Sequence, residues 1–285
     1  YNKVELVEGD LLDLSVLIRH IHKIKPDLIF HLAAQSYVLT SFNAPIQTLS
    51  VNAIGTLNLL EAVRIGGIDP IIHLCSSSEV YGQVLESDLP IKEDCPFRPA
   101  SPYAVSKVTE DMLAYQYWLS HKIRSIRTRM FTHTGPRRGD VFALSFFAKQ
   151  LAAIELGLID PVIKVGNLKS VRTFCDVRDA VRAYWLLVHK CKPGEVYNIG
   201  GERTMTIGEA LDILLSFAKT KVSVKVDQGL LRSSDVTLQV PCIDKFRSET
   251  GWKPEIPLEK TLEDMLGYWR DQLTRFPWKS VTIVK

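Results

Sequence analysis

The 285-residue chain has no apolar run near the about 18 residues that a membrane-spanning helix needs. A bilayer-embedded protein is therefore not expected. It has no C-x-x-C pair and no cysteines at zinc-ligand spacing. Cys75, Cys95, Cys175, Cys191 and Cys242 stand apart, the pattern of reduced, mostly buried thiols in a cytoplasmic protein, with no metal. Charge of one sign is also lacking. The 35 basic and 32 acidic residues leave a formal net charge of +3, which gives no reason to expect a nucleic acid or an acidic membrane as partner. Tyr1 to Asp10 has no signal-peptide layout, and repeats and low-complexity segments are missing. The most consequential absence is glycine: neither G-x-G-x-x-G nor G-x-x-G-x-x-G occurs. A dinucleotide-binding domain opens with such a turn, because its backbone N–H groups hold the pyrophosphate at a helix N-terminus. Either the chain binds no dinucleotide, or the first βαβ unit has been lost from this sequence.

What is present is an alternation of short apolar runs with helical patterns. Val4–Val7 is a short strand candidate, Val16–Ile24 has helical spacing ended by Pro26, and Leu28–Leu32 has the length of a strand buried on both faces. Ala44–Ile65 reads as a long helix with Pro45 in its first turn, Pro70–Leu74 as a buried strand, Tyr103–His121 as a long helix and Ser125–Met130 as a strand. This rhythm predicts parallel βαβ units and an α/β fold, a doubly wound, Rossmann-like parallel sheet with ligands at the carboxyl ends of its strands. After Phe131 the loops lengthen. Helices are expected near Ala143–Gly157, Val177–His189, Ile207–Lys219 and Leu258–Leu273, with strands at Val162–Val165 and Val196–Ile199. The expected division is a cofactor-binding domain over residues 1–131 and a mainly substrate-binding α/β portion over 132–285, interleaved with the first.

The chemistry concentrates in Ser76-Ser77-Ser78-Glu79-Val80-Tyr81-Gly82 and Ser101-Pro102-Tyr103-Ala104-Val105-Ser106-Lys107. Tyr103 and Lys107 are four apart at a helix start and so share one face. An ammonium beside a phenol favours the phenolate, and a tyrosine tuned in this way can exchange a proton with a hydroxyl at neutral pH. The serine run follows a buried strand, where substrate is expected.

On these residues the chain resembles the extended short-chain dehydrogenase/reductase family, whose triad corresponds to Ser77, Tyr103 and Lys107. The resemblance implies that Tyr103 is the acid/base, that Lys107 also holds the nicotinamide ribose, and that Ser77 bonds the reacting sugar oxygen. Ser-Ser-Glu-Val-Tyr-Gly is similar to the form in GDP-mannose 4,6-dehydratases, which implies that Glu79 removes the sugar C5 proton and that Ser78 lies at the substrate. His31-Leu32-Ala33-Ala34-Gln35-Ser36 resembles the family's cofactor-lining stretch, implying roles for Ala33, Ala34 and Gln35. Gly9-Asp10-Leu11 resembles the loop after the third strand, placing Asp10 and Leu11 at the adenine. The Gly-rich loop would then lie upstream of Tyr1.

Phe131-Thr132-His133-Thr134-Gly135-Pro136-Arg137-Arg138-Gly139 resembles another stretch of these dehydratases. It implies cofactor contacts from His133 and Arg138 and substrate contacts from Thr132 and Val141. Gly166-Asn167-Leu168, Val171-Arg172-Thr173-Phe174 and Asp176-Val177-Arg178-Asp179 resemble the segment that grips the nucleotide, implying Gly166, Asn167 and Arg172 as substrate residues. Arg232-Ser233-Ser234-Asp235-Val236 resembles a stretch whose arginine, here Arg232, meets the diphosphate; the planar guanidinium suits phosphate oxygens. Thr132 stands where the family usually has Asn, and Ser145 where bacterial dehydratases tend to have Arg. Asp176–Asp179 and Glu195–Gly200 look closer to the 4-keto-sugar reductases that make GDP-rhamnose.

The resemblance implies a 4,6-dehydratase that uses NADP or NAD on a GDP-sugar and pairs its two long helices into a homodimer or homotetramer. Alternatives are a GDP-4-keto-6-deoxymannose reductase, a 4-epimerase, and a non-catalytic sugar-nucleotide-binding scaffold.

Overall fold

In a computed structural model, residues 4–231 and 236–276 are described. In chain order the elements are α1 (Leu14–Ile24), β1 (Leu28–His31), α2 (Val38–Asn43), α3 (Pro45–Leu49), a π-helical turn (Ser50–Ile54), α4 (Gly55–Gly66), β2 (Ile71–Ser77), a 3-10 turn (Ser78–Tyr81), α5 (Pro102–His121), β3 (Ser125–Met130) and β4 (His133–Thr134). There follow α6 (Ala143–Glu155), β5 (Val162–Val165), β6 (Val171–Thr173), β7 (Cys175–Asp176), α7 (Val177–Lys190), β8 (Val196–Ile199), β9 (Thr204–Thr206), α8 (Ile207–Leu215), β10 (Ser223–Val226), β11 (Leu238–Gln239), α9 (Asp244–Thr250) and α10 (Leu258–Arg275). The chain divides into two compact units, one of Tyr1–Gly82, Pro96–Arg129 and Tyr184–Tyr197, the other of Gln83–Cys95, Met130–Ala183 and Asn198–Lys285.

The first unit carries an α/β sheet in the order β1-β2-β3-β8. β1 and β2 run parallel, with Leu28 opposite Ile71 and His31 opposite Leu74. The helices are set by local signals. The Asp13 carboxylate caps α1 by accepting from the N–H groups of Ser15 and Val16. Ser101 caps α5 by accepting from Ala104, and Pro102 begins the helix, where a missing N–H costs nothing. Ile21, Leu60, Val63, Ile72, Tyr117 and Ile123 form the core between helices and sheet.

Four expectations change. Val4–Val7 pairs with no strand among the described residues and is exposed; an apolar run becomes a strand only where a neighbour takes its backbone groups. Among the described residues β1 is the edge strand of its sheet, and Phe30 is 37% exposed, so β1 is not buried on both faces. Of the five free thiols only Cys175 and Cys191 are buried, while Cys75, Cys95 and Cys242 are half-buried. The expected long helix from Ala44 is α3 and α4 joined through the π-helical turn.

β3 is buried along its whole length although it reads Ser-Ile-Arg-Thr-Arg-Met. Asp111 makes this possible. Its carboxylate accepts from Arg127 Nη1 at 2.8 Å and from Arg129 Nε at 2.9 Å, and Arg127 also donates to the Gly194 carbonyl. Gly194 has φ +87 and would place a Cβ 2.1 Å from Trp118 Nε1, so a larger residue there would break the contact.

The second unit packs α6, α8 and α10 around a core that includes Phe147, Leu151, Ile163, Leu211, Leu262 and Met265. Smaller sheets flank it: β5 beside β10, β11-β6-β9, and β4 beside β7. Among the described residues no helix is long and apolar enough to cross a membrane.

Two buried histidines make the first unit acid-sensitive. His31 Nε2 meets Thr56 Oγ1 at 2.9 Å and His73 Nε2 meets Thr128 Oγ1 at 2.8 Å. Burial, and secondarily the Lys107 charge, hold His31 at about 4; burial, with His31 and Lys107, holds His73 at about 3. Below about pH 6.5 the unfolded chain takes up protons that the folded chain refuses, so stability falls as pH drops, by up to about 1.4 kcal/mol per pH unit for each histidine. Urea midpoints at about pH 7 and about pH 5 check this. His31→Gln should flatten the slope, and equal wild-type midpoints at the two pH values would contradict it.

Candidate active site

Ser77, Tyr103 and Lys107 come together where β2 ends against the first turns of α5. Lys107 Nζ donates to the Cys75 carbonyl at 2.9 Å and to Glu110 Oε2 at 2.9 Å. Its side chain is 6% exposed and that of Glu110 is 1% exposed. The ammonium lies 6.0 Å from the centre of the Tyr103 ring, and the Ser77 hydroxyl is near enough to the Tyr103 phenol to draw its pKa down. Burial works against the Lys107 ammonium, but the Glu110 carboxylate and the Tyr103 oxygen outweigh it and hold the lysine charged. The Tyr103 phenol departs from the sequence expectation. Lys107 and Ser77 do draw its pKa down, but burial pushes harder in the other direction and Glu110 adds to it, so the net displacement is upward.

Glu79 sits on the 3-10 turn that leaves β2. Ser77 Oγ accepts from the Glu79 N–H at 3.2 Å, starting the turn at the strand end. Gly82 closes it at φ +56, where a Cβ would lie 1.5 Å from the Arg98 carbonyl oxygen. Only glycine fits. Tyr81 is buried and accepts from Arg129 Nη1 at 3.0 Å, and the Arg129 guanidinium also lies 4.5 Å from the centre of the Phe97 ring. The Tyr-Gly pair thus fixes the turn that carries Glu79, which is half-buried.

Asn52, which the sequence reading passed over, joins the expected cofactor residues to this cluster. Its Oδ1 accepts from the Gln35 N–H at 2.8 Å, and its Nδ2 donates to the Gln35 carbonyl at 3.0 Å and to Ser106 Oγ at 2.8 Å. Ser106 Oγ in turn donates to the Tyr103 carbonyl at 2.7 Å. Asn52 lies in the π-helical turn, a deviation frequent at functional sites. The same helical run reaches the other expected residues: Thr56 meets His31, Asn58 Nδ2 donates to the Leu11 carbonyl at 2.9 Å, and Gly55 gives room for the Leu11 side chain. Asp10 caps its own loop by accepting from Leu12 N–H. Ala33 is exposed and Ala34 half-buried. A buried Asn within S-V-N-A-I-G-T, flanked by apolar helix positions, was the available signal.

These residues fit the ribose end of a nicotinamide dinucleotide. An ammonium has three N–H donors, and two on Lys107 have protein acceptors, which leaves one for a ribose hydroxyl. The small side chains of Ala33 and Ala34 allow a flat group close to the backbone.

In the second unit, Thr132 accepts through its carbonyl from Cys175 N–H at 3.0 Å, and β4 pairs His133 with Cys175. Burial pushes His133 down to about 4. The Arg138 guanidinium stacks 3.5 Å from the Phe142 ring centre, and Val141 is exposed. Ser145 Oγ donates to the Arg138 carbonyl at 2.7 Å and accepts from Trp269 Nε1 at 3.0 Å. Gly166 passes so close to the Leu230 carbonyl that a Cβ would approach it to 2.9 Å. Asn167 folds on itself, donating to Ser170 Oγ and accepting from Lys169 N–H. Arg172 is buried and donates to the Val171 and Val236 carbonyls.

Asp176 and Asp179, in the segment that resembles the family's nucleotide grip, tie α7 to the start of α10. Asp176 Oδ2 accepts from Thr261 Oγ1 at 2.7 Å, and Asp179 Oδ2 accepts from the N–H groups of Glu255 and Ile256. Arg232 lies outside the described residues. Among those residues no group of three or more His, Cys, Asp or Glu side chains could hold a metal ion.

Comparison with known proteins fits this arrangement. The family model described as GDP-mannose 4,6 dehydratase matches residues 1–265. The chain is 34% identical over 248 residues to the GDP-6-deoxy-D-mannose reductase of Pseudomonas aeruginosa, covering 87% of this chain and 82% of that one. It is 32% identical over 290 residues to the GDP-mannose 4,6-dehydratase of Yersinia enterocolitica, covering 91% and 77%. The solved structure of RMD from Pseudomonas aeruginosa complexed with NADPH superposes with a TM-score of 0.88 at 33% identity, over 93% of this chain and 88% of that one.

Asn52→Leu removes a side chain that satisfies both backbone groups of Gln35. Leaving them unpaired should lower stability by about 2–6 kcal/mol, from a loss of about 1–3 kcal/mol per orphaned group. Urea denaturation measures this, and a change below about 0.5 kcal/mol would show that water replaces the amide at no cost.

Proposed function

The chain belongs to the GDP-mannose 4,6-dehydratase family, and from that premise we propose that it converts GDP-mannose to GDP-4-keto-6-deoxymannose. The observation that carries this reading is the carboxylate of Glu79 on a turn begun by Ser77, with Ser77 in reach of Tyr103. NADP or NAD, held by residues that include Lys107, would supply the reversible hydride acceptor for transfer from sugar C4 to C6. Tyr103, as phenolate, takes the C4 hydroxyl proton, and Ser77 bonds the oxygen that becomes the ketone. The ketone acidifies the C5 hydrogen, which Glu79 removes. The C6 hydroxyl leaves as water with the proton that Glu79 gained. A proton returned to C5 balances the one taken by Tyr103, so the net change is loss of one water.

In this proposal the first unit holds the cofactor through Asp10, Leu11, Ala33, Ala34, Gln35, Tyr103 and Lys107. The second holds the GDP-sugar, with Thr132, Val141, Gly166, Asn167, Arg172 and Arg232 as its contacts, and His133 and Arg138 are assigned as further cofactor residues. The Arg172 guanidinium is a planar fork of the kind that suits a diphosphate. The protein works in the cytoplasm, where its thiols remain free.

A second reading, reduction of the 4-keto sugar by external NAD(P)H, is supported by the similarity to the Pseudomonas aeruginosa reductase and by Ser145, whose hydroxyl serves Arg138 and Trp269. That reaction breaks no C–H bond at C5.

We further propose a homodimer through α5. Val105, Met112 and Leu119 recur every seventh position and are 43%, 39% and 51% exposed, forming an apolar stripe that a second copy would cover.

Tyr103→Phe should lower kcat about 10²–10⁴-fold; more than half the wild-type rate would exclude Tyr103 as the acid/base. Glu79→Gln should stop dehydration of GDP-mannose while hydride exchange at C4 persists. Normal dehydration by that variant would remove Glu79 as the C5 base, whereas reduction of the keto sugar that the substitution leaves unchanged, without dehydration by the wild type, would favour the reductase. Light scattering at micromolar concentration should give twice the chain mass, and a monomer would remove the α5 interface.

A further inference from the structure

Glu110 has no place in the scheme above, yet it is the group that touches Lys107. It lies three residues beyond the lysine on α5, its Oε2 is 2.9 Å from Nζ, and its side chain is 1% exposed. Its second oxygen, Oε1, is buried without a hydrogen-bond partner. A carboxylate left half-satisfied in the interior is costly. Packing alone would be served as well by an apolar residue beside an ammonium that already has the Cys75 carbonyl. Asp111, the next residue, cannot take over, since both its oxygens are bonded to Arg127 and Arg129.

We propose that Glu110 is a positioning residue for the reaction: it anchors the Lys107 ammonium and limits how much of its positive charge reaches the Tyr103 phenol. The proposal rests on the roles given above to Tyr103 and Lys107.

The surroundings leave Glu110 as the group that can do this. From β2, Cys75 offers its carbonyl to the ammonium and its thiol to Tyr184 of α7. His73 on β2 and His31 on β1 are buried and neutral. The 3-10 turn contributes Glu79, two residues after Ser77. On β3, Arg127 and Arg129 are taken by Asp111, and on α4 Glu61 pairs with Arg64 and Tyr117. Three buried cations thus face two buried carboxylates, so one further negative charge, a Tyr103 phenolate, would balance the cluster. Glu110 sets how strongly that charge is drawn. Burial pushes its carboxyl up to about 7, and its charged form opposes the Tyr103 phenolate. When Glu110 is ionised, Lys107 is neutralised locally and the phenol holds its proton. When Glu110 is protonated, Lys107 faces the phenol unopposed.

The test is the pH dependence of kcat in the full-length enzyme with Glu110→Gln, which keeps the shape and an acceptor for Lys107 but removes the charge. Activity on the acid side requires the phenolate. The acid limb should move to lower pH by about one unit, within the range an adjacent opposite charge produces, with KM for the cofactor little changed. Glu110→Asp, which keeps the charge one methylene further from Nζ, should move it in the same direction by less. An acid limb superimposable on the wild type for both variants overturns the inference. So does failure of both to fold, which would assign the pair a purely structural role. Tyr103→Phe and Lys107→Met are measured in parallel. If these retain wild-type rates, the proposed function fails. If they are inactive and the Glu110 limbs do not move, only the inference about Glu110 fails.

Discussion

An ammonium cannot be taken out of water without partners, and much of the first unit follows from satisfying that of Lys107. Its donors go to the Cys75 carbonyl and the Glu110 carboxylate. The first contact ties the lysine to the last residues of β2, and the second to its own helix. The end of β2 and the start of α5 are therefore held in one relative position, and Ser77 and Tyr103, one on each, meet as a consequence. Losing one partner would leave a buried charge uncompensated, which is far more costly than losing an exposed pair.

A second constraint is carried by neutral groups. Gln35 lies past the end of β1, and its N–H and C=O are not held by the sheet. Asn52 supplies both missing partners from the side and reaches Ser106 with its remaining N–H. The π-helical turn gives the helix an extra residue where this amide is needed. One side chain thereby links the loop after β1 to the first turn of α5. The second unit uses carboxylates in the same structural manner: Asp176 and Asp179 bind backbone and hydroxyl donors and fix the start of α10 against α7.

Much of this was legible in the chain. The alternation of apolar runs with helical spacing located β2, β3, α5, α6, α7 and α10 to within a few residues, because period and length differ sharply between buried strands and amphipathic helices. Short elements escaped. β4, β7 and β11 have two residues each, too few for any periodicity, and they exist only because a partner strand lies beside them. Val4–Val7 failed for the converse reason, an apolar run with no strand beside it among the described residues.

The sequence by itself determined which groups could do chemistry: a tyrosine and a lysine one helical turn apart, a serine run at a strand end, and a carboxylate two residues beyond the serine. Spacing within one helix or turn fixes such relations locally. Only the tertiary structure decided the balance of charge around them. That the Tyr103 phenol is pushed up, that Glu110 rather than Asp111 pairs with Lys107, and that Asp111 serves two arginines of β3 depend on burial and on contacts between residues far apart in the chain. The physical reason is that proximity along a helix is set by covalent geometry, whereas desolvation is set by whatever the rest of the chain packs on top.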